Sequence, residues 1–274
     1  MKMIDVSVLM SIYKKEKVSY FIETMDSIMN QTVQPKEILL IEDGPLTADL
    51  IEAIQNYKQL LGDQFVTKSL KENVGLGRAL AEGVNLCKYQ LIARMDTDDI
   101  MSPNRLESQF KEFRENPELT IVGSNIAEFS GDTNHILGNR IVPEKNGEIR
   151  VFSKRRNPFN HMTVMFRKDA VIQVGNYQPL QGFEDYYLWV RLLKNGYQAK
   201  NIQEKLVFAR TGLDMYARRG GLAYLIPGLK ARKVIYKEGL GTITDLLVVS
   251  GIHIMICLMP NKIRGKFYEK KLRN

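Results

Sequence analysis

Residues Leu91 to Arg105, with the sequence LIARMDTDDIMSPNR, form the stretch around which the rest of the chain is arranged. The apolar start of this stretch is typical of the end of a buried strand. Asp96, Asp98 and Asp99 follow, and the Ser-Pro pair after them predicts a turn before a helix. Three carboxylates at a strand end repel one another unless a cation offsets their charge. The stretch therefore predicts either a solvated acidic loop that caps the helix or a site for Mg²⁺ or Mn²⁺ with substrate phosphates.

The residues before this stretch alternate between strand-like and helix-like patterns. Apolar runs rich in Val, Ile and Leu predict strands at Val6 to Ile12, Glu37 to Ile41, Phe65 to Val66 and from Leu91 onwards. Apolar residues at helical spacing predict helices at Val18 to Met29, Leu46 to Leu61 and Arg78 to Leu86. This alternation is typical of βαβ units, so we expect an α/β fold in which helices flank a mostly parallel central sheet.

Three loops at the ends of these strands carry polar side chains. Tyr13 follows the first strand, Asp43 follows the second, and the acidic residues Asp96 and Asp98 follow the fourth. Ligands of parallel sheets bind outside the carboxyl ends of the strands. We therefore expect the three loops to converge on one crevice.

The chain beyond the acidic stretch is predicted to contain both kinds of element. We expect a helix from Glu107 to Glu115, a strand at Ile121 to Ser124, a hairpin within Phe129 to Gly147, a strand at Asn160 to Arg167, a helix at Lys168 to Val174 and another helix from Phe183. Glu184 and Asp185 lie in the first turn of that last helix, where the helix dipole favours carboxylates. Their position is therefore consistent with a structural role as well as with a catalytic one.

The composition is that of an ordinary folded protein, with 44% hydrophobic and 26% charged residues. The net charge of +8 indicates an anionic partner such as a nucleotide, a phospholipid or a nucleic acid. Cys87 and Cys257 are too far apart in the sequence to form a metal-type pair, and the first apolar run lacks a signal-peptide pattern. We expect a reduced, cytoplasmic protein.

The last part of the chain has a different character, and we divide the sequence into segments 1–221 and 222–274. Leu246 to Met259 is apolar but shorter than the roughly 20 residues that cross a bilayer. Pro260 to Asn274 is rich in Lys and Arg, with aromatic and aliphatic residues between them and Glu269 as its one acid. This pattern predicts a helical, basic tail that associates with an anionic membrane surface. A buried helix followed by a solvated tail is the alternative.

Six motifs follow one another within residues 4–221: VSVLMSIYKKE, SIMNQT to EILLIEDG, NVGLGRALAEG, ARMDTDDI, NHMTVMFRK and GFEDYYLWVRL. Together they resemble the family-2 glycosyltransferases of the GT-A fold that act in bacterial capsular and O-antigen polysaccharide synthesis. The resemblance implies transfer of a sugar, with inversion, from a nucleoside diphosphate-sugar to a hydroxyl of a lipid-linked glycan. It also implies a peripheral position at the inner face of the cytoplasmic membrane. The Gln-x-x-Arg-Trp signature of processive synthases is absent from the sequence, which implies a non-processive enzyme.

The resemblance assigns roles to the residues of the acidic stretch. It implies that Asp98 is a ligand of a divalent cation, Mn²⁺ or Mg²⁺, which stabilises the leaving diphosphate as a Lewis acid. Asp96 is implied to contact the ribose or the same cation, and Asp99 to support the loop. Arg94 is implied to orient these carboxylates or to meet a phosphate; a structural ion pair is the alternative.

The resemblance also places the nucleobase. Ser11 and Tyr13 match residues that flank the base, and Asp43 matches a carboxylate that accepts a hydrogen bond from its imide N–H. This favours uracil or thymine, and hence a UDP-sugar, although a carboxylate can also bind guanine. Arg78 is implied to reach the base or the diphosphate.

On the acceptor side, an inverting displacement needs a general base that removes the proton of the attacking hydroxyl. Asp185 matches the family's catalytic aspartate, and Glu184 is implied to bind or orient the acceptor. His161 is implied to meet the metal or the diphosphate, or to be a packed structural histidine. Arg218 and Arg219 resemble a basic loop that closes over the diphosphate.

Two other functions are consistent with parts of the sequence. A sugar-phosphate nucleotidyltransferase has a similar sheet, but a Gly-rich loop normally follows its first strand, and Tyr13 to Glu16 contains no Gly. A non-enzymatic, basic nucleic-acid-binding protein would carry its charges in one stripe with aromatic residues between them. Here the charges are concentrated at Arg155-Arg156, Arg218-Arg219 and the tail. We therefore expect a glycosyltransferase and no nucleic-acid partner.

Overall fold

The computed structural model describes residues 2–211 and 221–259 of the chain. Its strands are β1 (Lys2–Ile12), β2 (Val33–Glu42), β3 (Phe65–Ser69), β4 (Leu91–Arg94), β5 (Ile100–Met101), β6 (Leu119–Ser130), β7 (Asp132–Arg140), β8 (Met165–Arg167) and β9 (Gln198–Arg210). They form one sheet in the order β3-β2-β1-β4-β8-β6-β9-β5, and β7 pairs with β6.

Helices connect these strands and cover both faces of the sheet. The α-helices are α1 (Val18–Met29), α2 (Ala48–Leu61), α3 (Leu76–Leu86), α4 (Arg105–Glu115), α5 (Asn146–Phe152), α6 (Lys168–Gln173), α7 (Glu184–Lys194), α8 (Leu222–Lys237) and α9 (Ile243–Leu258). Two short 3₁₀ turns lie at Gly62–Gln64 and His161–Thr163.

The central strand β1 faces two helical layers because successive side chains of a strand point to opposite faces. Its even-numbered residues from Ile4 to Ile12 pack with buried residues of α1, α2 and α4. Leu9 faces the other way and packs with α3, α6 and α7, whose largest buried side chain is Trp189. Gly83 of α3 allows this second layer to approach closely, since a Cβ there would lie 2.3 Å from the Leu9 Cδ1 atom.

The pairing of the strands is parallel in the first half of the chain and mixed in the second. Parallel pairing joins β1 to β2, β1 to β4 and β2 to β3, as the sequence predicted. In the second half β6 and β9 are also parallel, but β8 runs antiparallel to both β4 and β6, and β5 runs antiparallel to β9. The predicted α/β fold with flanking helices is confirmed, and its sheet is mixed.

Two predicted features of the second half differ from the structure. The segment Asn160 to Arg167, predicted as one strand, is strand only over β8. The reason is local: the Thr163 hydroxyl donates to the Asn160 carbonyl at 2.8 Å and accepts from the Ser124 N–H at 3.0 Å, which holds the 3₁₀ turn. The prediction also contained no strand at β9, whose first half is rich in polar residues.

An antiparallel hairpin of α8 and α9 ends the described part of the chain. At one end of the hairpin the Gly221 N–H donates to the Cys257 carbonyl at 3.0 Å. At its other end the Tyr187 hydroxyl of α7 donates to Glu238 at 2.8 Å. Among the described residues, no helix is both long and apolar enough to cross a membrane. The basic segment 260–274 lies outside the described residues, and the division of the chain at residue 221 stays a prediction.

Candidate active site

The carboxyl ends of β1, β2 and β4 meet at one edge of the sheet, as predicted. The strands align Ile12 with Glu42 and Leu9 with Arg94. The Asp43 N–H donates to the Ile12 carbonyl at 2.7 Å, so the loops after β1 and β2 begin side by side. The loop after β4 joins them from the other side of β1.

Asp43 lies in the loop after β2 and holds the turn that precedes α3. One carboxylate oxygen accepts the Val74 N–H at 2.7 Å and the other accepts the Gly75 N–H at 3.1 Å. Gly44 has a φ of 85°, and a Cβ there would lie 2.6 Å from the Asn73 nitrogen, so the two loops are in close contact. Since a carboxylate oxygen can accept a second hydrogen bond, the nucleobase role of Asp43 stays a prediction.

Three other residues predicted to meet the nucleotide lie near the end of β1 and at the start of α3. Ser11 is half-buried near the end of β1, and Tyr13 is exposed just beyond it. Arg78 is exposed in the first turn of α3. Arg218 and Arg219 lie outside the described residues, and their role stays a prediction.

Asp96, Asp98 and Asp99 form a tight acidic cluster in which one oxygen of each carboxylate lies within 4.8 Å of the others. Asp99 is buried, and its carboxylate accepts the Arg210 N–H at 2.7 Å. Its own carbonyl accepts the Thr24 hydroxyl at 2.7 Å. Asp99 therefore ties the acidic loop to β9 and α1, in agreement with its predicted supporting role.

The charges of this cluster are only partly compensated. Arg94 is buried and forms a two-point ion pair with Asp96. Burial, and then the charges of Asp96 and Glu16, raise the pKa of Asp98 to about 7. Burial and the two neighbouring carboxylates also raise the pKa of Asp99 well above its usual range. An excess of negative charge on clustered oxygens is the donor set that a hard divalent cation prefers, so these residues fit Mg²⁺ or Mn²⁺.

Asp185 lies in the first turn of α7 and is half-buried. Its carboxylate accepts the side-chain N–H of Asn157 at 2.6 Å. The backbone carbonyl of Asn157 in turn accepts a hydrogen bond from the Arg140 guanidinium at 3.1 Å. Burial raises the pKa of Asp185, whereas the Tyr186 N–H, Asn157 and the charges of Arg94 and Arg140 oppose this rise. Arg94, the partner of Asp96, thus also acts on Asp185.

Glu184 lies beside the turn that Asp43 holds. A Cβ on Gly77, in the first turn of α3, would lie 2.7 Å from the Glu184 Cγ atom. Burial raises the pKa of Glu184. The beginnings of α3 and α7 therefore touch at this point, which brings the predicted nucleotide loop next to the predicted acceptor residues.

His161 is packed among aromatic side chains next to the same site. Its Nε2 atom is 2.9 Å from the Tyr177 hydroxyl, and its ring meets the Trp189 ring edge-on at 6.0 Å. Burial, and then the charge of Arg94, lower the pKa of His161 well below its usual value. His161 is therefore a neutral, packed side chain near Arg94, and a direct role toward metal or diphosphate stays a prediction.

Several residues of this site could not be predicted from the sequence motifs. Asn157, Arg140 and Tyr177 come from segments outside the quoted motifs, and Arg210 ends a strand that was not predicted. The spacing of Asn157 before the NHMTVMFRK motif gave no indication that it would face Asp185. These contacts depend on how distant segments pack, which local patterns do not report.

Comparison with known proteins gives a family and a fold. The family model described as Glycosyl transferase family 2 matches residues 7–174. An uncharacterized glycosyltransferase of Haemophilus influenzae is 39% identical over 267 residues, which cover 97% of this chain and 98% of the relative. The UDP-Gal:alpha-D-GlcNAc-diphosphoundecaprenol beta-1,3-galactosyltransferase of Escherichia coli is 36% identical over 270 residues, which cover 97% and 96%.

Among solved structures, S. aureus TarS 1-349 in complex with UDP-GlcNAc superposes with a TM-score of 0.67 at 14% identity. The match covers 92% of this chain and 72% of the TarS 1-349 chain, and at this identity it bears on the fold alone. The family match excludes the nucleotidyltransferase and the basic binding protein as the identity of the chain. With more than half of its residues matched by the family model, and relatives aligned along nearly their whole length, this chain belongs to glycosyl transferase family 2, has the GT-A fold and is a glycosyltransferase.

Proposed function

We propose that the enzyme transfers one sugar at a time from a UDP-sugar to a hydroxyl of a lipid-linked glycan in surface polysaccharide synthesis, with inversion. The observation that carries this proposal is that the turn held by Asp43 touches the start of α7: a Cβ on Gly77 would lie 2.7 Å from the Glu184 Cγ atom, beside Asp185. The charge of Arg94, which pairs with Asp96, also opposes the rise in the pKa of Asp185. A donor held by Asp43 and the acidic cluster would therefore lie next to an acceptor held at Asp185.

Asp185 is proposed as the general base. It takes the proton of the acceptor hydroxyl while the hydroxyl oxygen forms its bond to the anomeric carbon and the bond from that carbon to the diphosphate breaks. Burial raises the pKa of Asp185 and makes its carboxylate a stronger base, while Asn157 fixes the orientation of that carboxylate. Glu184, beside it, is proposed to orient the acceptor.

Asp98 and Asp96 are proposed to hold a divalent cation, Mn²⁺ or Mg²⁺. When bound there, such a cation would act as a Lewis acid toward the leaving diphosphate. Asp98 is the better ligand of the two because both oxygens of Asp96 face Arg94. On the donor side, Ser11, Tyr13, Asp43 and Arg78 are proposed to bind the nucleotide.

The proposed UDP-sugar and lipid-linked acceptor rest on the E. coli relative, whose name contains both UDP-Gal and a diphosphoundecaprenol acceptor. Such an acceptor also supports a peripheral location at the inner face of the cytoplasmic membrane. The basic sequence of residues 260–274 suits the anionic surface of that membrane.

Two variants separate the proposed roles. Asp98→Ala is expected to abolish metal-dependent binding of the donor, measured by calorimetry with UDP-sugars and Mn²⁺. Asp185→Asn is expected to keep donor binding and to lower the transfer rate by about 10²- to 10⁴-fold. Asp63→Asn, an exposed carboxylate in the turn after α2, is the control and should change neither. The reverse pattern would show that the roles are misassigned, and no binding or turnover of any nucleotide-sugar by the native enzyme would refute the proposal.

A further inference from the structure

Arg210 is the last residue of β9 and contacts two residues of the acidic cluster. Its Nε atom donates to the backbone carbonyl of Asp98 at 3.0 Å, and its backbone N–H donates to the carboxylate of Asp99 at 2.7 Å. The residues just after the cluster pair with the same strand, since Ile100 is aligned with Phe208. Arg210 therefore continues the pairing of β5 and β9 into the loop that carries the cluster.

The guanidinium of Arg210 is itself held in place. Its Nη1 atom donates to the Gly131 carbonyl at 3.1 Å, and its Nη2 atom pairs with the carboxylate of Glu23. Its central carbon lies over two aromatic rings, 4.0 Å from the centre of the Tyr20 ring and 4.5 Å from that of Phe129. The side chain is only 7% exposed. Because a planar group with these contacts is fixed in orientation, its Nε–H is already directed at the acidic loop.

Arg210 and Arg94 act on the acidic cluster in different ways. Arg94 contacts both carboxylate oxygens of Asp96 and so compensates a charge that a metal ion could use. The side chain of Arg210 contacts Asp98 through the backbone carbonyl, and Glu23 compensates its charge. A donor to the carbonyl fixes the backbone of the loop, whereas a cation on the carboxylate would compete with a metal ion for the same oxygens.

Helix α1 contributes to the same support. The Thr24 hydroxyl of α1 donates to the Asp99 carbonyl at 2.7 Å, next to the Asp98 carbonyl that Arg210 holds. Glu23, which pairs with Arg210, lies on the same helix. Two successive carbonyls of the loop are therefore fixed by α1 and β9. Such preorganisation lowers the cost of ordering the loop around a bound ion.

We propose that Arg210 is a positioning residue for the divalent cation: it holds the Asp98 carbonyl and thereby fixes the backbone from which the Asp98 carboxylate extends toward the ion. This role rests on the cation site of the proposed function, and it belongs to the end of β9, outside the sequence motifs. Groups that orient a metal ligand without touching the ion change metal affinity by about 10- to 100-fold.

Binding of UDP to the full chain, with Mn²⁺ and with EDTA, tests this role by calorimetry. Arg210→Met keeps an aliphatic side chain and removes the side-chain donors. Arg210→Lys keeps the charge, but one ammonium cannot replace the planar fork that meets three acceptors. In both variants the affinity gained from Mn²⁺ should fall by about 10- to 100-fold, while the affinity in EDTA stays within about twofold of the native value. Equal losses with Mn²⁺ and with EDTA would show a merely structural role and overturn the proposal.

A second cation of β9 supplies the matched control. Lys200 pairs with Glu112 at 2.8 Å, and Lys200→Met should leave the affinity gained from Mn²⁺ unchanged. Thermal unfolding in EDTA should show each variant folded at the temperature of the titration; if Arg210→Met is unfolded, Arg210→Lys decides the question. A native gain from Mn²⁺ in both Arg210 variants, or the same loss in Lys200→Met, would contradict the proposal.

Binding of Mn²⁺ alone separates this inference from the proposed activity. The EPR signal of free Mn²⁺ falls as the ion binds to protein, and the titration requires no nucleotide. If the native chain binds Mn²⁺ more tightly than Arg210→Met but turns over no nucleotide-sugar, the proposed function is refuted and the positioning role is supported. If the native chain shows metal-dependent turnover that Arg210→Met retains in full, the positioning role alone is refuted.

Discussion

Removal of the Asn157 amide is the sharpest test of the acceptor side of the site. Its side-chain N–H lies 2.6 Å from an Asp185 carboxylate oxygen. The side-chain amide oxygen of Asn157 (Oδ1) accepts the Phe159 N–H at 3.2 Å, which fixes the side-chain amide with its donor toward Asp185. A hydrogen bond to a charged acceptor contributes about 1.5–3 kcal/mol. Since one pKa unit corresponds to about 1.4 kcal/mol, Asn157→Ala should raise the pKa of Asp185 by about 1–2 units.

The direction of the kinetic effect follows from the role of a base. Only the ionised carboxylate accepts the proton, so a higher pKa of Asp185 lowers the active fraction at acidic and neutral pH. The acid limb of the kcat/KM profile should move up by about 1–2 pH units, and the rate should recover toward the native plateau at alkaline pH. Burial already raises this pKa in the native enzyme, and Arg94 and Arg140 continue to oppose the rise in the variant.

The assay is transfer to a lipid-linked acceptor measured across the pH range, with donor affinity determined at each pH. Asn134→Ala, an exposed position on the β7 hairpin, is the matched control and should leave the profile unchanged. A profile of Asn157→Ala that falls equally at every pH, with its acid limb unmoved, would refute the reasoning. In that case either Asp185 is not the titrating base or Asn157 only supports the fold.

Three further substitutions test other parts of the structure. Asp98→Asn should stabilise the metal-free protein by about 1 kcal/mol or more in denaturant unfolding at pH 8, and by less at pH 4. The reason is that burial and neighbouring carboxylates raise the folded-state pKa to about 7, so the carboxylate form costs stability only as the pH rises. Gly77→Ala should displace the Glu184 side chain and raise the KM for the acceptor several-fold with little change in donor affinity; an unchanged KM would argue against an acceptor role for Glu184. Gly83→Ala should destabilise the fold by about 1–3 kcal/mol, seen as a lower Tm, because its Cβ would meet Leu9 inside the core.

The sequence predicted the first half of the fold well for a physical reason. The strands β1, β2 and β4 each contain a short apolar run, because parallel strands are buried on both faces. The strand β9 was missed because several of its side chains are polar and partly exposed, and the two-residue β5 is too short to form any pattern. Local periodicity reports burial, and these strands are only partly buried.

The candidate site was predictable to a similar, limited extent. The carboxylates Asp96, Asp98 and Asp185 could be proposed from the sequence because they lie in compact motifs. The groups around them were not: Asn157 donates to Asp185 from another segment of the chain, and Arg140, at the end of β7, donates to the backbone carbonyl of Asn157. A hydrogen bond between residues far apart in sequence depends on tertiary packing. The local spacing of residues in a single sequence does not reveal such a contact.

The antiparallel direction of β8 explains why the segment before β8 reaches the same edge of the sheet as the acidic cluster after β4, although the two are far apart in sequence. Because β8 runs antiparallel to β4, its beginning lies at the end of β4, where the Arg94 N–H donates to the Val164 carbonyl at 2.9 Å. His161 and the segment that contains Asn157 precede β8, so they arrive at the edge of the sheet that carries the acidic cluster. A parallel β8 would have brought them to the opposite edge. The antiparallel strand therefore brings the segment that contains Asn157, the hydrogen-bond partner of Asp185, toward the edge of the sheet where β4 ends and the acidic cluster begins.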